Sequence, residues 1–488
     1  MLLVESSPET LDRRLAVSAI AENTSGNLIE PGLLRIGDDG RPVPDLAESF
    51  RQIDPVTYEA VLRPGLQFHD GTTVSAEDVV ATYDTLRDPR LHSPLASRFD
   101  ELSQVSAVDA RRVRFTLKQP AVEFPVNLNM GLVPARGAAA VGQAEFGRHP
   151  VGAGPFRFVD WPDEEHLLLE ANPSYYGGRP AIGHLLVKTV RDENTRALEL
   201  MHGKADICLG AISPPLLEIL SRSANLEILS TPGANAAYLM FQLADSKLRD
   251  ARVRRAIGEA VDREAIVRYK FGGHATLATT LMPPGNWARD DDLPQLPYDP
   301  IAAAALLDAA GLKPDLQGIR LSLDYKTSTD RFRRSIGLVL VDQLAKVGID
   351  VNLSSLEFGT FFSDIRKGNF ELATLKWVPI IDPDLYTLTF ASSSIPTPDN
   401  NYNGANRGHY VNPEVDFLLA QARRVESEAA RRQIYLAVQP ILARDLPYVV
   451  LWYEDSTAVM RKGLTGFSLS PFGFFSSLAK VRPVEADR

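Results

Sequence analysis

Cysteine and histidine are scarce in this chain. The 488 residues include a single cysteine, Cys208, and 8 histidines. One cysteine excludes an intrachain disulfide and a thiolate cluster for zinc, and no two histidines stand at the spacing of a zinc site. The sequence therefore predicts no metal site and no cofactor.

Long hydrophobic runs are absent as well. No apolar run reaches the ~18 to 20 residues that span a bilayer. Met1 is followed almost directly by VESSPETLD, without the charged and apolar regions of a signal peptide. We therefore expect neither a membrane-spanning helix nor a signal peptide in this sequence. The single cysteine leaves the compartment open.

Positive charge is in deficit, because 52 Lys and Arg residues face 62 Asp and Glu residues, a net charge of -10. Binding to a phosphate backbone needs a basic surface, so we expect no nucleic-acid partner. An acidic balance is also what keeps an ordinary surface soluble. The length exceeds what one hydrophobic core usually supports, which predicts at least two compact lobes.

Recognisable catalytic motifs are missing too. The chain has no HExxH, no GxSxG and no phosphate loop. The glycines at 152–154 form only G-x-G, and those at 178–183 are followed by His184 where a phosphate loop has lysine. We predict no catalytic residue. Because catalytic triads assemble in space, a hydrolase stays an alternative.

Local signals are clearest in residues 62–86, where turn dipeptides precede a helix start. Ser75 and Asp78 have the spacing of a capping box, and Val79, Tyr83 and Leu86 recur at helical spacing. Short strands with turn signals surround this helix between residues 35 and 120. This pattern predicts a small α/β subdomain.

The second half alternates between strands and helices. Strands are predicted at 319–325, 349–356 and 370–377, with helices at 330–346 and 359–367 between them. Such alternation favours parallel crossovers in an open sheet, where ligands bind beyond the carboxyl ends of the strands. Four further short strands are expected at 226–229, 237–242, 448–452 and 457–460.

Trp377 ends one of the predicted strands, directly before a loop. Its broad apolar face with one donor suits the wall of a ligand cleft, although a core position is the alternative. Asp382 and Asp384 follow in the same loop. They are candidate ligand contacts, or Asp382 caps a helix that has Pro383 in its first turn.

Seven motifs occur in the order, and at roughly the spacing, of one known family. They are EPGL (30–33), PDLAES (44–49), HDGTTVSAEDVV (69–80), VGAGPF (151–156), NPSYY (172–176), residues 250–263 and YDPIAAAALLDAAGL (298–312). The chain resembles the bacterial solute-binding proteins of family 5, the dipeptide-, oligopeptide- and nickel-binding receptors of ABC importers. The resemblance implies an α/β, two-lobed periplasmic-binding-protein fold of type II, in the large cluster with an extra subdomain.

The same resemblance implies the domain boundaries. Lobe I is expected to be discontinuous and to comprise residues 1–34, 150–245 and 461–488. The extra α/β subdomain, residues 35–149, is inserted in lobe I, and lobe II comprises residues 246–460.

In function, the resemblance implies an extracytoplasmic receptor that captures a short peptide or other small organic solute between its lobes. The expected partners are that ligand and the membrane permease subunits of an ABC importer, and the receptor is expected to be a monomer and no enzyme. A periplasmic or other extracytoplasmic location follows, with a lipoprotein anchor as one form before trimming. A stand-alone sensor or regulatory domain of the same fold is the alternative.

The family pattern adds four candidate ligand contacts. Residues 232–242 resemble the strand by which the first lobe meets the cleft, and there Asn235, Tyr238 and Gln242 offer uncharged hydrogen-bonding groups. A satisfied network between strands is the alternative. Arg136 lies where an arginine contacts the ligand in nickel-binding relatives, and a solvated loop arginine is the alternative.

One departure from the family concerns charge. Peptide-binding members typically carry an aspartate three residues after the matching tryptophan, where it pairs with the ligand's amino group, whereas this chain has Ile380. The spacing from Trp377 to Asp382 is similar to that of nickel-binding relatives, but a tyrosine of theirs is Ile381 here. We therefore expect no ammonium-binding carboxylate at position 380.

Overall fold

The computed structural model describes residues 1–138, 145–425 and 427–484. They divide into two compact units. The first unit comprises residues 1–231 and 456–488, and the second comprises residues 232–455. The sequence-based boundaries at residues 246 and 460, and the limits of the subdomain at 35–149, stay predictions.

The first unit contains strands in several sheets and a set of short helices. Its strands are Leu2–Val4, Leu34–Ile36, Pro42–Pro44, Ala47–Asp54, Thr57–Leu62, Leu102–Ala107, Arg112–Leu117, Phe156–Asp160, His166–Ala171, His184–Thr189, Ile207–Leu209, Leu464–Thr465 and Arg482–Pro483. Its helices are Ala19–Ala21, Glu22–Ile29 (a π-helix), Ala76–Arg87, Pro89–Leu91, Ala96–Phe99, Phe124–Asn127, Ala135–Ala138, Glu193–Met201, Pro214–Leu220 and Ser476–Lys480.

A four-stranded antiparallel sheet and one helix form a separate core within the first unit. The helix Ala76–Arg87 begins where the capping box predicted, and the Asp78 carboxylate accepts a hydrogen bond from the Ser75 amide at 2.8 Å. Val79, Tyr83 and Leu86 are fully buried in this core, as their spacing predicted. Burying such side chains contributes on the order of 1.5–3 kcal/mol each, which explains why the stripe faces inward.

The second unit is built on a sheet with helices on its faces. Its strands are Ala275–Leu277, Leu321–Ser328, Ile349–Leu356 and Leu372–Trp377. Its helices are Ala251–Glu259, Arg263–Lys270, Pro300–Ala309, Arg331–Ala345, Phe358–Arg366, Leu385–Phe390, Ser392–Ser394, Pro398–Asn400, Pro413–Ala422 and Glu428–Asp445. The predicted parallel arrangement is confirmed for Leu321–Ser328, which pairs in parallel with both Ile349–Leu356 and Leu372–Trp377.

Two long strands belong in part to each unit, and here the prediction of four short strands was wrong. Leu226–Phe241 is one strand of 16 residues and Tyr448–Arg461 is one of 14 residues. Pro232-Gly233 in the first, and the polar residues 454–456 in the second, interrupt the hydrophobic pattern without ending the strand. These interruptions therefore mark a border between compact units and not the end of a strand.

The strand Leu226–Phe241 separates two hydrophobic cores of the second unit. Ala236, Tyr238 and Met240 lie in one core, while the intervening residues Ala237 and Leu239 lie in the other. This alternation is the two-residue repeat of a strand. In the part of the chain that the structure describes, none of the helices combines the length and the hydrophobicity that a membrane span requires.

Candidate functional site

Trp377 is the last residue of the strand Leu372–Trp377, as the sequence predicted, and it pairs with Ala236 of the neighbouring strand. Its ring lies 6.5 Å from that of Tyr238 at an interplanar angle of 27°. Trp377 is half-buried, and its Nε1 has no hydrogen-bond partner among the described residues. The side chain thus presents part of its ring at the end of the strand, while its unsatisfied Nε1 is buried.

Arg407 lies against this tryptophan. Its guanidinium carbon is 5.4 Å from the centroid of the Trp377 ring and 5.0 Å from that of Phe362. The guanidinium also lies near the hydroxyl of Tyr238 and interacts with it electrostatically. Burial raises the pKa of Tyr238 to about 12, and the nearby positive charge opposes the rise. Tyr238 is therefore neutral at pH 7 and supplies no negative charge to Arg407.

A constrained loop holds Arg407 in place. Asn406 is buried, and its amide group donates hydrogen bonds to the carbonyl oxygens of Ala391 and Tyr410 at 3.0 and 2.7 Å. On the other side, a Cβ at Gly408 would lie 2.5 Å from the carbonyl oxygen of Phe241, so only glycine fits there. Both neighbours of Arg407 are thus fixed by the core.

Gln242, predicted from the sequence as a ligand donor, also holds this loop. Its Nε2 lies 3.3 Å from the carbonyl oxygens of both Arg407 and Gly368, and its Oε1 accepts from the amide of Ala244 at 3.2 Å. The side chain is 6% exposed. Its hydrogen-bonding groups are directed at backbone atoms of loops, whereas the alternative left open by the sequence was a network between strands.

The structure brings Tyr238 and Trp377 together but directs Asn235 elsewhere. Asn235 is half-buried and precedes Tyr238 by three residues on the same strand. Residues three apart on a strand point to opposite faces of the sheet. Asn235 therefore does not share the face of the Trp377 ring.

Asp382 and Asp384 both lie near arginines. The Oδ1 of Asp382 accepts a hydrogen bond from the amide of Asp384 at 2.7 Å and is 3.6 Å from Arg431. The carboxylate of Asp384 accepts from the Thr387 hydroxyl at 2.8 Å and is 3.7 Å from Arg423. The helix begins at Leu385, so Asp384 rather than Asp382 occupies the position before it. Both carboxylates thus have positive neighbours within the second unit.

Ile380 occupies the position where the family resemblance places a carboxylate in peptide receptors. Its side chain is 1% exposed and packs in the same hydrophobic core as Tyr238. This residue is part of the core, which supports the expectation that position 380 offers no charged group.

Arg136 belongs to the first unit. It lies in the short helix Ala135–Ala138, where its side chain is 63% exposed and forms an ion pair with Asp70. Arg136 thus lies in a short helix and not in the loop that the alternative assumed. Its contact with a ligand stays a prediction.

Sequence reasoning missed Arg407 and Phe362. Arg407 lies in a stretch rich in asparagine and glycine, without periodicity, 30 residues after Trp377. Its neighbours are distant along the chain, so no local pattern indicated their contact. Among the residues that the structure describes, no three His, Cys, Asp or Glu side chains are grouped as metal ligands would be.

Comparison with known proteins assigns this fold to a class. Residues 41–397 match the family described as bacterial extracellular solute-binding proteins, family 5 middle. The glutathione-binding protein GsiB of Shigella boydii is 28% identical, and the alignment covers 98% of this chain and 93% of GsiB. The oligopeptide-binding protein AppA of Bacillus subtilis is also 28% identical, with 87% of this chain and 81% of AppA covered.

Solved structures agree with this assignment. NikZ from Campylobacter jejuni in complex with Ni(L-His) superposes with a TM-score of 0.80 at 27% identity, covering 98% of both chains. AppA from Bacillus subtilis in complex with a nonapeptide gives a TM-score of 0.77 at 25% identity, covering 99% of this chain and 98% of AppA. The fold is the α/β type II fold of periplasmic binding proteins. The chain belongs to the bacterial extracellular solute-binding proteins of family 5 and is a solute-binding receptor.

Proposed function

We propose that this receptor serves an ABC importer outside the cytoplasm, and that its ligand is a short peptide or another small organic solute. The observation that carries the ligand class is the half-buried Trp377 beside Arg407 at the end of a strand of the second unit. An aromatic wall with a few fixed polar groups is typical of small-molecule sites. Permease subunits of the importer are the proposed partners, and the receptor acts as a monomer.

The names of the relatives support this ligand class. GsiB is named for glutathione, the B. subtilis AppA structure holds a nonapeptide, and NikZ holds a nickel complex of L-histidine. These ligands are all built from amino acids. We propose that the ligand of this chain is also built from amino acids, and that a short peptide is the first candidate.

Among the sequence-predicted contacts, we propose that Trp377 touches the ligand directly. Tyr238 is 1% exposed, so its role is to position Arg407 through the nearby hydroxyl group. Gln242 fixes the backbone of Arg407 in the same way. Contacts of Asn235, Asp382, Asp384 and Arg136 with the ligand stay predictions.

The experiment that tests the function is identification of the natural ligand. The purified protein is denatured, and the small molecules it releases are identified by mass spectrometry. Calorimetry then measures binding of glutathione, trialanine and a nickel–histidine complex to protein that was refolded without ligand. We expect one amino-acid-based ligand to bind and to be recovered unchanged.

The alternative of a hydrolase makes the opposite prediction. If the protein converts its bound ligand, products accumulate with time in proportion to protein concentration. Such turnover would overturn the proposal of a receptor without catalysis. Release of a ligand that contains no amino-acid unit would overturn the proposed ligand class.

A further inference from the structure

Five side chains of the second unit, two arginines and three aromatic residues, form a row of successive contacts. The row, which we call the Arg–aromatic row, consists of Arg333, Phe358, Phe362, Arg407 and Trp377. Arg333 lies 6.0 Å from the Phe358 ring, and Phe358 stacks on Phe362 with centroids 5.9 Å apart at 11°. Phe358 and Phe362 are one helical turn apart, which places them on the same face of their helix.

Arg407 is the arginine of the row that lies against two aromatic rings, those of Trp377 and Phe362. It is half-buried, yet among the described residues no carboxylate forms an ion pair with it. Its Nε is buried without a hydrogen-bond partner, and the nearby Tyr238 hydroxyl is neutral. Burying part of a charged group is costly unless the group is paired, and two ring faces replace only part of the solvation that is lost.

Neighbouring charges in this unit have counter-ions. Lys376 lies 2.6 Å from Glu454, and the candidate carboxylates Asp382 and Asp384 lie beside Arg431 and Arg423. None of these acids is thus positioned as the partner of Arg407. The guanidinium is left with unoccupied donors beside the Trp377 ring.

We propose that the ligand supplies the missing charge as a carboxylate that pairs with Arg407 while its adjoining apolar part lies on Trp377. This inference rests on the proposed function and narrows the ligand to anions. A planar guanidinium presents parallel donors that match a carboxylate in two hydrogen bonds. Its loop is already fixed by Asn406, Gly408 and Gln242, so little side-chain or backbone freedom remains to be lost on binding.

A purely structural role for Arg407 is the competing explanation. In that case the guanidinium serves to interact with the Tyr238 hydroxyl and to cover the two rings. Its replacement then lowers the melting temperature without changing how the protein distinguishes charged from neutral ligands. The test must therefore measure that distinction rather than stability alone.

The first measurement combines a change in the ligand with a change in the protein. Calorimetry compares trialanine with its C-terminal amide on the wild-type protein, Arg407→Gln and Arg407→Lys. We expect amidation to weaken binding to the wild type by about 10-fold or more, the scale of a hydrogen bond to a charged group. Arg407→Gln should bind acid and amide equally, and Arg407→Lys should retain part of the preference.

The matched control is Arg334→Gln, which removes the same charge from an exposed position of the same unit. This variant should keep the full preference for the acid. If amidation of trialanine instead weakens binding to Arg407→Gln as much as it weakens binding to the wild type, the carboxylate does not bind Arg407 and the inference is overturned.

The second measurement needs no natural ligand. Fluorescence quenching of Trp377, isolated by subtracting the signal of Trp377→Phe, is measured with anionic iodide and with neutral acrylamide. In the wild type, the positive charge of Arg407 should make iodide a stronger quencher of Trp377 than acrylamide. We expect Arg407→Gln to lose this extra quenching by iodide and to keep the quenching by acrylamide. Equal iodide quenching in both proteins would overturn the inference, whichever peptides bind.

The two measurements separate this inference from the proposed function. If neither trialanine nor its amide binds the wild type but iodide quenching still depends on Arg407, this tripeptide is refuted as a ligand and the anion site is supported. If trialanine binds and its amide binds equally well, the receptor function stands and the carboxylate site at Arg407 is refuted.

Discussion

The amide of Ile380 donates a hydrogen bond to the carbonyl oxygen of Ala234, at a distance of 2.8 Å. This bond ties the residues after the strand Leu372–Trp377 to the strand Leu226–Phe241, and the Ile380 side chain enters the core. Position 380 is therefore a structural one in this chain. A charged side chain cannot replace Ile380 without disturbing the hydrophobic core.

The first prediction concerns an acid placed at this position. Ile380→Asp should lower the free energy of unfolding by about 3 kcal/mol or more, because a buried carboxylate without a partner is strongly unfavourable. Urea unfolding at pH 7 measures the loss. Ile381→Asp is the matched control. Because Ile381 is half-buried, an aspartate there should lower the free energy of unfolding by less. An Ile380→Asp protein as stable as the wild type, with tighter peptide binding, would contradict this view of the core.

The second prediction concerns the amino group of a peptide ligand. N-acetylation of a bound peptide should cost little affinity, because Ile380 offers no charge and both Asp382 and Asp384 already lie beside arginines. Calorimetry on free and acetylated forms of one tripeptide tests this. A loss above roughly 3 kcal/mol, the size expected when a buried charged pair is broken, would show that an ammonium site exists.

The third prediction concerns Trp377. Trp377→Ala should weaken ligand binding by roughly 1 to 3 kcal/mol, the scale for a large contact at a binding hot spot. The fold should survive, because the ring is only half-buried. Calorimetry and thermal melting are run together on this variant and on Trp161→Ala, a half-buried tryptophan of the first unit. Unchanged affinity in Trp377→Ala would place the ring outside the ligand site.

Periodicity and capping were sufficient to predict most of the elements. The helix after Ser75 and the parallel strands around Leu321–Ser328 follow from local patterns, since their spacing decides which side chains can be buried. The two long strands were not predicted as single elements, because pairing with neighbours overrides the turn preference of Pro232-Gly233. Local sequence does not contain that pairing.

The candidate site was predictable only in part. Trp377 stood out because it ends a strand, but its contact with Arg407 joins residues 30 positions apart. Gln242 shows the opposite case. Its polarity within an apolar strand suggested a ligand, whereas its hydrogen bonds reach backbone carbonyls that no sequence pattern places nearby.

The last prediction concerns pH and His69, a histidine of the first unit. Its Nε2 lies 3.1 Å from the carbonyl oxygen of Gly154, and its Nδ1 lies 3.3 Å from the amide nitrogen of Gly152. The Nδ1 therefore accepts and the Nε2 donates, which is possible only for the neutral ring. Burial lowers the pKa of His69 from 6.5 to about 4, and the bond to Gly154 offsets only part of the shift.

The sign of the effect follows from proton uptake. Between pH 6.5 and about 4 the unfolded chain binds a proton at this histidine while the folded protein does not. The stability that the neutral ring provides is thus complete above pH 6.5 and is lost as the pH falls toward 4, by on the order of 3 kcal/mol. Urea unfolding across this range should show a smaller loss in His69→Gln than in the wild type. His166→Gln, where the side chain is 40% exposed, controls for removal of an imidazole, and parallel pH profiles for the wild type and His69→Gln would refute the assignment.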